Sequence, residues 1–309
     1  MEKIEHSYLI INGISLHIAH VGKGESGDVI LLHGFPEIWY SWRYQMLALA
    51  EAGFRAITPD CRGYGLSGQP QEPDKASWED LTSDLLGILD TLNIPKAFIV
   101  GKDFGTKTAN DFSILHPGRV LGVITLGVPF VPDSPSSLAA LPKGFYIPRW
   151  REPGRAEKDF GRFEVKRVLR NIYILFCRRE LQVAEEDQEI MDLVEQTTPL
   201  PPWFTEDDLA CYTALYENSG FSYPLQMPYR SIHKGHGFTN PKIEVPSLLI
   251  IGEKDYILKF PGMEEYIRNG TVKHFVPDLE TTFISDGTHF VQEQFPDKAV
   301  GHIQTSEYS

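Results

Sequence analysis

The chain opens with a short alternation of apolar and polar residues. Between residues 8 and 20 the apolar positions recur about every second residue on either side of Asn12 and Gly13. Alternation with a period of two is typical of strands that bury one face, and Asn-Gly is favoured in two-residue hairpin turns. The pattern therefore predicts two antiparallel strands at the start of the chain.

After this hairpin, short continuous apolar runs are separated by longer stretches with helical spacing. Strands are predicted at residues 29–32, 54–57, 97–100, 120–126, 247–251, 272–276 and 282–284. Helices are predicted at residues 39–52 and 77–92, the second with Ser77 and Asp80 as a capping box. Continuous apolar runs are typical of strands buried on both faces. Their alternation with helices predicts an α/β fold, a mostly parallel sheet with helices on both faces.

The alternation of strands and helices stops after a proline-rich connector at residues 129–135. We therefore expect one core, a doubly wound sheet of residues 1–130 and 241–309, interrupted by a helical cap domain of residues 131–240. The cap would lie above the carboxyl ends of the strands, where open parallel sheets bind their ligands. After Pro296 the sequence lacks an evident amphipathic helix, so no terminal helix is predicted.

Composition and charge exclude several classes of protein. The 309 residues are 42% hydrophobic, which allows a large core, and 29 Lys and Arg against 42 Asp and Glu give a formal net charge of -13. Such a chain repels phosphate backbones and anionic lipids, so neither nucleic acid nor membrane is an expected partner. The amino-terminal sequence lacks the basic start and apolar run of a signal peptide, and the three cysteines are scattered. These features predict a cytoplasmic protein, and we expect a monomer or a homodimer.

Two glycine patterns and one histidine pair lack the context of a cofactor or metal motif. The glycines at residues 22–27 precede a predicted strand, and those at residues 63–68 run into prolines instead of opening a helix. A dinucleotide motif requires a strand-to-helix turn. His233 and His236 have glycine neighbours and no third ligand nearby, which favours loop histidines. The sequence therefore predicts no cofactor and no metal.

The strongest local motif is Gly-Lys-Asp-Phe-Gly at residues 101–105, which follows a predicted strand and precedes a helix that starts near Thr106. Flanking glycines permit the strained turn called a nucleophile elbow, which exposes its central side chain. That side chain is Asp103, and the chain contains no Gly-x-Ser-x-Gly, so the sequence disfavours a serine hydrolase. The simpler alternative is that Asp103 only caps the following helix.

Three further features follow other predicted strands. The segment His-Gly-Phe-Pro at residues 33–36 can offer a backbone N–H beside the elbow. Asp255 and His289 each follow a later strand. The order nucleophile, acid, histidine is that of the α/β-hydrolase triad, so Asp103, Asp255 and His289 together favour a catalytic site.

These segments resemble the plant-type soluble epoxide hydrolases of the α/β-hydrolase superfamily. The resemblance extends through nearly the whole chain, from residues 33–43 through residues 60–65 to the histidine segment that ends at Gln294. It implies an enzyme that converts epoxides to vicinal diols without a cofactor. Its expected partners are a small hydrophobic epoxide and water.

Two segments of the predicted cap resemble those that carry the epoxide-binding tyrosines of this family, which here are Tyr146 and Tyr229. One position departs from the family pattern, because Lys102 precedes the nucleophile where the family usually has histidine. An ammonium group close to Asp103 would favour the carboxylate, whereas a side chain that points elsewhere would only pack beside it.

The resemblance implies a role for each candidate residue. Asp103 would attack an epoxide carbon while Tyr146 and Tyr229 protonate the oxygen. His289, held by Asp255, would then activate the water that hydrolyses the ester. The backbone N–H groups of Phe35 and Phe104 would stabilise the oxyanion. The side chains expected to bind the substrate are those of His33, Pro36, Trp39 and Phe290. Trp39 could alternatively fix the first helix.

Two other functions remain open at this point. A dehalogenase uses the same triad with an aspartate nucleophile, but it also needs a halide site. Phe35 and Phe104 stand at the positions where polar or indole donors would stabilise a leaving halide. A hydrolase-like receptor could close its cap on a small hydrophobic ligand. Receptors of that kind generally keep a serine at the elbow or lose the histidine, and this chain does neither.

Overall fold

The computed structural model describes residues 3–132, 140–232 and 234–305, so His233 and part of the proline-rich connector lie outside the described residues. Its strands form one sheet with the order β1-β2-β4-β3-β5-β6-β7-β8. The strands are β1 (Glu5–Ile11), β2 (Ile14–Val21), β3 (Gly27–Leu32), β4 (Phe54–Pro59), β5 (Ala97–Lys102), β6 (Val120–Leu126), β7 (Ser247–Gly252) and β8 (Leu279–Ile284). β2 pairs antiparallel with β1 and β4, and every other pair is parallel. The predicted α/β fold class is confirmed.

Helices lie on both faces of this sheet. In chain order, the helices of the described residues are α1 (Arg43–Glu51), α2 (Trp78–Thr91), α3 (Gly105–Leu115), α4 (Tyr146–Arg151), α5 (Arg155–Phe160), α6 (Val165–Phe176), α7 (Glu206–Ser219), α8 (Met263–Arg268), α9 (Val291–Gln294) and α10 (Pro296–Thr305). Short 3-10 turns occur at Trp39–Trp42, Pro73–Lys75, Pro117–Arg119, Ile190–Leu193, Tyr256–Lys259 and Thr271–His274. A short helical turn at Ser222–Pro224 continues into a π-type turn at Leu225–Arg230. No helix within the described ranges is long and apolar enough to cross a membrane.

The opening hairpin and the second predicted helix agree with their sequence signals. Ile11 pairs with Ile14 across Asn12 and Gly13, which have the positive φ angles of 49° and 80° that this turn requires. At the start of α2, Ser77 Oγ accepts the Asp80 N–H while the Asp80 carboxylate accepts the Ser77 N–H. Such a capping box stabilises a helix by about 1 kcal/mol.

The central strands bury both faces, which explains their continuous apolar sequence. In β3, Val29 and Leu31 pack into one apolar cluster, whereas Ile30 and Leu32 pack into the cluster on the opposite face. The first cluster continues into the helices between β6 and β7, for example through Trp150 of α4.

The strand predicted at residues 272–276 is wrong. This segment forms a 3-10 turn at Thr271–His274 after Gly270, whose φ is 79°. Val272 and Val276 are buried while His274 between them is exposed, so the segment lacks the alternation of a strand that buries one face.

The absence of a terminal helix was also predicted wrongly, because Pro296–Thr305 forms α10. Proline is tolerated in the first turn of a helix, since its nitrogen needs no intrahelical partner there. Ala299, Val300 and Ile303 form a narrow buried stripe, and α10 packs against α1. A stripe of only three apolar residues gives a weak sequence signal for a helix, although it is enough to pack α10 against α1.

The strand order decides where the polar loops meet. β3 lies between β4 and β5 in the sheet. The loops that follow β3 and β5 therefore begin side by side, at the carboxyl ends of these two strands. Such a reversal of strand order opens a crevice at that edge. β7 and β8 end at the same edge because they run parallel to β5 and β6. The loops after these strands therefore converge at one place.

Candidate active site

Asp103 lies at the centre of the sharp turn between β5 and α3. Its φ is 51°, a left-handed conformation that is strained for a residue other than glycine. A Cβ at Gly101 would lie 2.5 Å from the Gly105 carbonyl oxygen, and one at Gly105 would lie 2.4 Å from the Leu32 carbonyl oxygen. Glycine at both positions therefore lets the helix approach the strands closely enough to form the elbow.

The three predicted triad residues lie together and are buried. His289 Nδ1 is 3.0 Å from Asp255 Oδ1 and 3.1 Å from Asp255 Oδ2. On the other side of the ring, His289 Nε2 is 3.2 Å from Asp103 Oδ2. Asp255 Oδ1 also accepts the Ile257 N–H, which fixes the carboxylate. This arrangement orients the imidazole with one nitrogen toward the acid and the other toward the elbow.

The loop after β3 contacts the elbow through its backbone. The Phe35 N–H donates to Asp103 Oδ1 over 3.1 Å. A Cβ at Gly34 would lie 2.4 Å from Asp103 Cβ, so this approach requires glycine. Phe104, the other predicted oxyanion residue, follows Asp103 directly and precedes the first residue of α3. Its position at a helix N-terminus favours negative charge at the elbow.

The charges of the triad are coupled. Burial opposes ionisation of Asp103, but the hydrogen bond and charge of His289, together with Lys102, lower the pKa of Asp103 below its usual range. Burial also opposes a charged His289, but the Asp255 carboxylate contributes to raising the pKa of His289 above the ordinary histidine value. A base must be neutral to accept a proton, so a base role of His289 would be lost as the pH falls through its raised pKa.

Two predicted tyrosines lie next to the elbow. Tyr146 of α4 lines the same cavity as Asp103, and its ring centroid is 5.9 Å from that of Tyr229. Tyr229 packs edge-to-face on Phe104 at 5.3 Å and on Phe35 at 5.5 Å. Burial raises the pKa of both Tyr146 and Tyr229 well above the ordinary phenol value, so both remain protonated.

The two phenol groups differ in their partners. Tyr146 OH is 2.9 Å from Tyr256 OH. Tyr229 OH is buried, and no partner for it is found among the described residues. An unpaired buried hydroxyl costs about 1–3 kcal/mol, which a hydrogen bond to a bound molecule would recover.

A cavity of about 580 Å³ opens beside Asp103, Phe104 and Tyr146. Most of its wall is apolar, and the apolar side chains include Val128, Phe130, Ile147, Ile257, Phe260 and Met263. Lys107, Asp111 and Arg151 also line it. Within the described residues, no group of three or more His, Cys, Asp or Glu side chains could hold a metal ion.

The four side chains predicted to bind substrate do not belong to the wall of this cavity in the part of the chain that the structure describes. His33 Nδ1 is 2.8 Å from the Gly34 carbonyl oxygen, and its Nε2 accepts the Cys61 N–H, so this ring joins two loops. Pro36 is buried in the turn after Phe35.

The other two of the four form aromatic contacts elsewhere. Trp39 packs edge-to-face on His6 at 4.7 Å, and its backbone N–H donates to Asp60 Oδ1, which agrees with the alternative that it fixes the first helix. Phe290 stacks on Tyr173 at 4.4 Å. Both residues follow functional loops in sequence but point into the core.

Sequence reasoning missed two residues beside the triad and left a third unassigned. Tyr256, which bonds to Tyr146, directly follows Asp255, and this adjacency was an available signal. Glu37 is fully buried and follows the segment at residues 33–36. The sequence signal that could have identified it is a carboxylate shortly after the end of a predicted strand. Lys102 is fully buried, and its Nζ is 3.0 Å from His289 Nε2, a contact with no local sequence signal.

Comparison with known proteins agrees with this geometry. Residues 28–296 match the family described as alpha/beta hydrolase fold. The chain is 37% identical to epoxide hydrolase 3 of Siraitia grosvenorii over 98% of each chain, and 37% identical to epoxide hydrolase 2 of that plant over 96% of each. Potato (Solanum tuberosum) epoxide hydrolase I matches with a TM-score of 0.87 and 32% identity over 98% of each chain. An epoxide hydrolase of Vigna radiata matches with a TM-score of 0.88 and 31% identity, over 98% of this chain and 97% of the other. The chain therefore belongs to the α/β-hydrolase fold family and, within it, to the plant epoxide hydrolases.

Proposed function

We propose that the protein hydrolyses small hydrophobic epoxides to vicinal diols through an ester on Asp103. The observation that carries this proposal is the buried aspartate at the elbow, which shares one apolar cavity with a buried tyrosine and contacts a histidine–aspartate pair. A carboxylate needs no base to act as a nucleophile, whereas a serine at this position would need one.

In the first step, Asp103 attacks an epoxide carbon and the ring oxygen takes a proton. The lowered pKa of Asp103 supports the ionised nucleophile. Tyr146 and Tyr229 would hydrogen-bond the epoxide oxygen, and one of them would donate the proton as the oxygen becomes an alkoxide. The unpaired hydroxyl of Tyr229 supports this role, because a bound epoxide oxygen would supply its missing partner.

In the second step, water attacks the carbonyl carbon of the Asp103 ester. Neutral His289 would take a proton from this water, and Asp255 would stabilise the imidazolium that forms. The Phe35 N–H, already 3.1 Å from Asp103 Oδ1, supports an oxyanion hole with Phe104. Loss of one such donor typically costs about 3 kcal/mol in the transition state. Collapse of the intermediate releases the diol, and the proton left on the Asp103 carboxyl returns to the tyrosine that donated one in the first step.

We also propose the division into a core of residues 1–130 and 241–309 and a cap of residues 131–240. The proposed nucleophile and histidine come from loops of the sheet, whereas Tyr146 and Tyr229 come from the helical segment between β6 and β7. The active site would then form between the two parts, with the cap keeping bulk water from the ester.

A panel of epoxides and haloalkanes tests the proposed function. We expect diol from at least one aliphatic, terpenoid or aryl epoxide, measured by mass spectrometry, and no halide from chloro- or bromoalkanes. Halide release without diol would assign the chain to the dehalogenases. Saturable binding of epoxides without any product would favour a receptor.

Replacement of both tyrosines, Tyr146→Phe and Tyr229→Phe, is expected to slow epoxide opening by about 10³-fold, because the leaving oxygen loses its acid. Stopped-flow measurement under single-turnover conditions would follow the tryptophan fluorescence change on ester formation. The rate of ester hydrolysis, measured on enzyme alkylated beforehand, should change much less, since that step needs no phenol.

Tyr223→Phe provides the matched control. Tyr223 is another fully buried tyrosine with a hydroxyl that lacks a partner among the described residues, but it packs near Tyr64 and not on the cavity. We expect this variant to open epoxides at the wild-type rate. If the double variant Tyr146→Phe, Tyr229→Phe opens epoxides as fast as this control, the assignment of the two tyrosines as proton donors is wrong.

A further inference from the structure

Lys102 is a buried cation placed directly against the proposed base. It is the last residue of β5, its side chain is fully buried, and its Nζ lies 3.0 Å from His289 Nε2. Nζ is also 5.7 Å from the centroid of the Phe290 ring. Among the described residues, no carboxylate oxygen lies within 4.0 Å of Nζ. Lys102 therefore has an imidazole nitrogen, rather than a carboxylate, as its close polar partner.

The surroundings of His289 are otherwise acidic. The charged or titratable groups that face it are Asp103 from the elbow, Asp255 after β7, Glu37 after β3, Tyr256 beside Asp255 and Lys102 from β5. Buried carboxylates around an imidazole favour the imidazolium, which cannot accept a proton from water. Lys102 is the one cation in this set that opposes that effect.

The same contact selects the tautomer of the imidazole. With Nδ1–H donated to Asp255, the lone pair of Nε2 is free to accept an N–H from the Lys102 ammonium group. Protonation of Nε2 would instead place two donors 3.0 Å apart, because a lysine ammonium has no lone pair to accept the new proton. The Lys102 contact therefore favours a neutral Nε2, and it opposes the Asp103 carboxylate, which lies 3.2 Å from the same nitrogen and favours a protonated one.

We propose that Lys102 is a positioning residue that favours the neutral, proton-accepting form of His289, above all in the alkylated enzyme, where Asp103 is an uncharged ester. This inference rests on the proposed function and deepens it. In the hydrolysis step, a proton passes from water to His289 Nε2 as the hydroxide bonds to the Asp103 carbonyl carbon. The same proton then passes from Nε2 to the departing diol oxygen. The positive charge of Lys102 favours the return of the transferred proton.

A lysine that only filled space would not explain this placement. Burying an ammonium group costs free energy unless it is compensated, and a methionine of similar length fills the same volume without a charge. The compensation available to Lys102 is its contact with Nε2 and the field of the nearby carboxylates. The charge would thus be retained for its effect on the site.

The test compares the pH dependence of ester hydrolysis in the wild type, Lys102→Met and Lys102→Arg. Removing the charge should raise the pKa of His289, so the acid limb of the hydrolysis rate should move to higher pH by about one unit or more in Lys102→Met. Lys102→Arg retains the charge and should keep the acid limb near its wild-type position. Stopped-flow single-turnover measurements would separate this step from ester formation.

A second measurement does not depend on turnover. Proton and nitrogen NMR of imidazole-labelled protein would give the titration midpoint of His289 in the substrate-free enzyme, and we expect a higher midpoint in Lys102→Met. Lys102→Gln serves as the uncharged variant if Lys102→Met is not recovered folded. Superimposed titration curves, or a uniform loss of rate with an unshifted acid limb, would overturn the proposal and leave Lys102 as a packing residue.

The two proposals fail in distinguishable ways. If the proposed function is wrong, the wild type forms no diol at any pH, whereas the NMR titration still reports the effect of Lys102 on His289. If only the role of Lys102 is wrong, the wild type forms diol and the His289 titration curves of the variants coincide with the wild-type curve.

Discussion

Replacement of Asp103 by asparagine is expected to lower kcat by at least about 10⁴-fold, because an amide cannot form the ester on which both steps depend. The fold should persist, since the amide oxygen can still accept the Phe35 N–H that binds Oδ1 in the wild type. Steady-state diol formation measures the loss. Intact-protein and peptide mass spectrometry would check that residue 103 has not deamidated back to aspartate.

Asp84→Asn is the matched control for this change. Asp84 is also a buried aspartate, but it pairs with Arg62 and does not line the cavity. We expect this variant to lose some stability and to retain most of its activity. An equal loss of kcat in both variants would mean that the effect of Asp103→Asn comes from general destabilisation.

Isotope labelling tests the ester without any substitution. A single turnover of the wild type in heavy-oxygen water should place the label in the Asp103 carboxylate, because water attacks the carbonyl carbon of the ester. The first diol formed should carry no label. Label in that diol would show direct attack of water on the epoxide, and Asp103 would then act as a base or as an electrostatic group.

The elbow and the triad could be predicted because their signals are local. Glycines around Asp103 mark a sharp turn, and Asp255 and His289 each follow a strand that the apolar runs reveal. Parallel strands bring such ends to one edge of the sheet, so the chain order alone was enough to group them. The structure places His289 within hydrogen-bond distance of both Asp103 and Asp255.

Other parts of the site depend on side-chain directions that the sequence does not encode locally. Lys102 and His289 are far apart in the chain, and their contact follows from the pairing of strands and the direction of one long side chain. Trp39 and Phe290 neighbour functional loops, yet both turn into the core, because large aromatic residues gain most by burial. Adjacency in sequence to the loops of the candidate site was therefore a poor guide to the cavity wall.

His289→Gln is expected to separate the two proposed steps. Glutamine cannot accept a proton from water, so ester hydrolysis should slow by about 10³- to 10⁴-fold. Ester formation should continue, since Lys102 and the Phe35 N–H still favour an ionised Asp103 and the two tyrosines remain in place. The alkylated enzyme should therefore accumulate, and intact-protein mass spectrometry should detect a mass increase equal to one substrate molecule, located by peptide analysis on Asp103.

His17→Gln is the control for this trap. His17 is also a fully buried histidine paired with an aspartate, with its Nδ1 2.9 Å from Asp60 Oδ2, but it lies away from the elbow. Its replacement should reduce stability without trapping an adduct, because it removes an equivalent pair that no reacting atom contacts. If His289→Gln instead stays unmodified while diol formation stops, His289 is needed for ester formation itself. The assignment of this residue to the hydrolysis step would then be wrong.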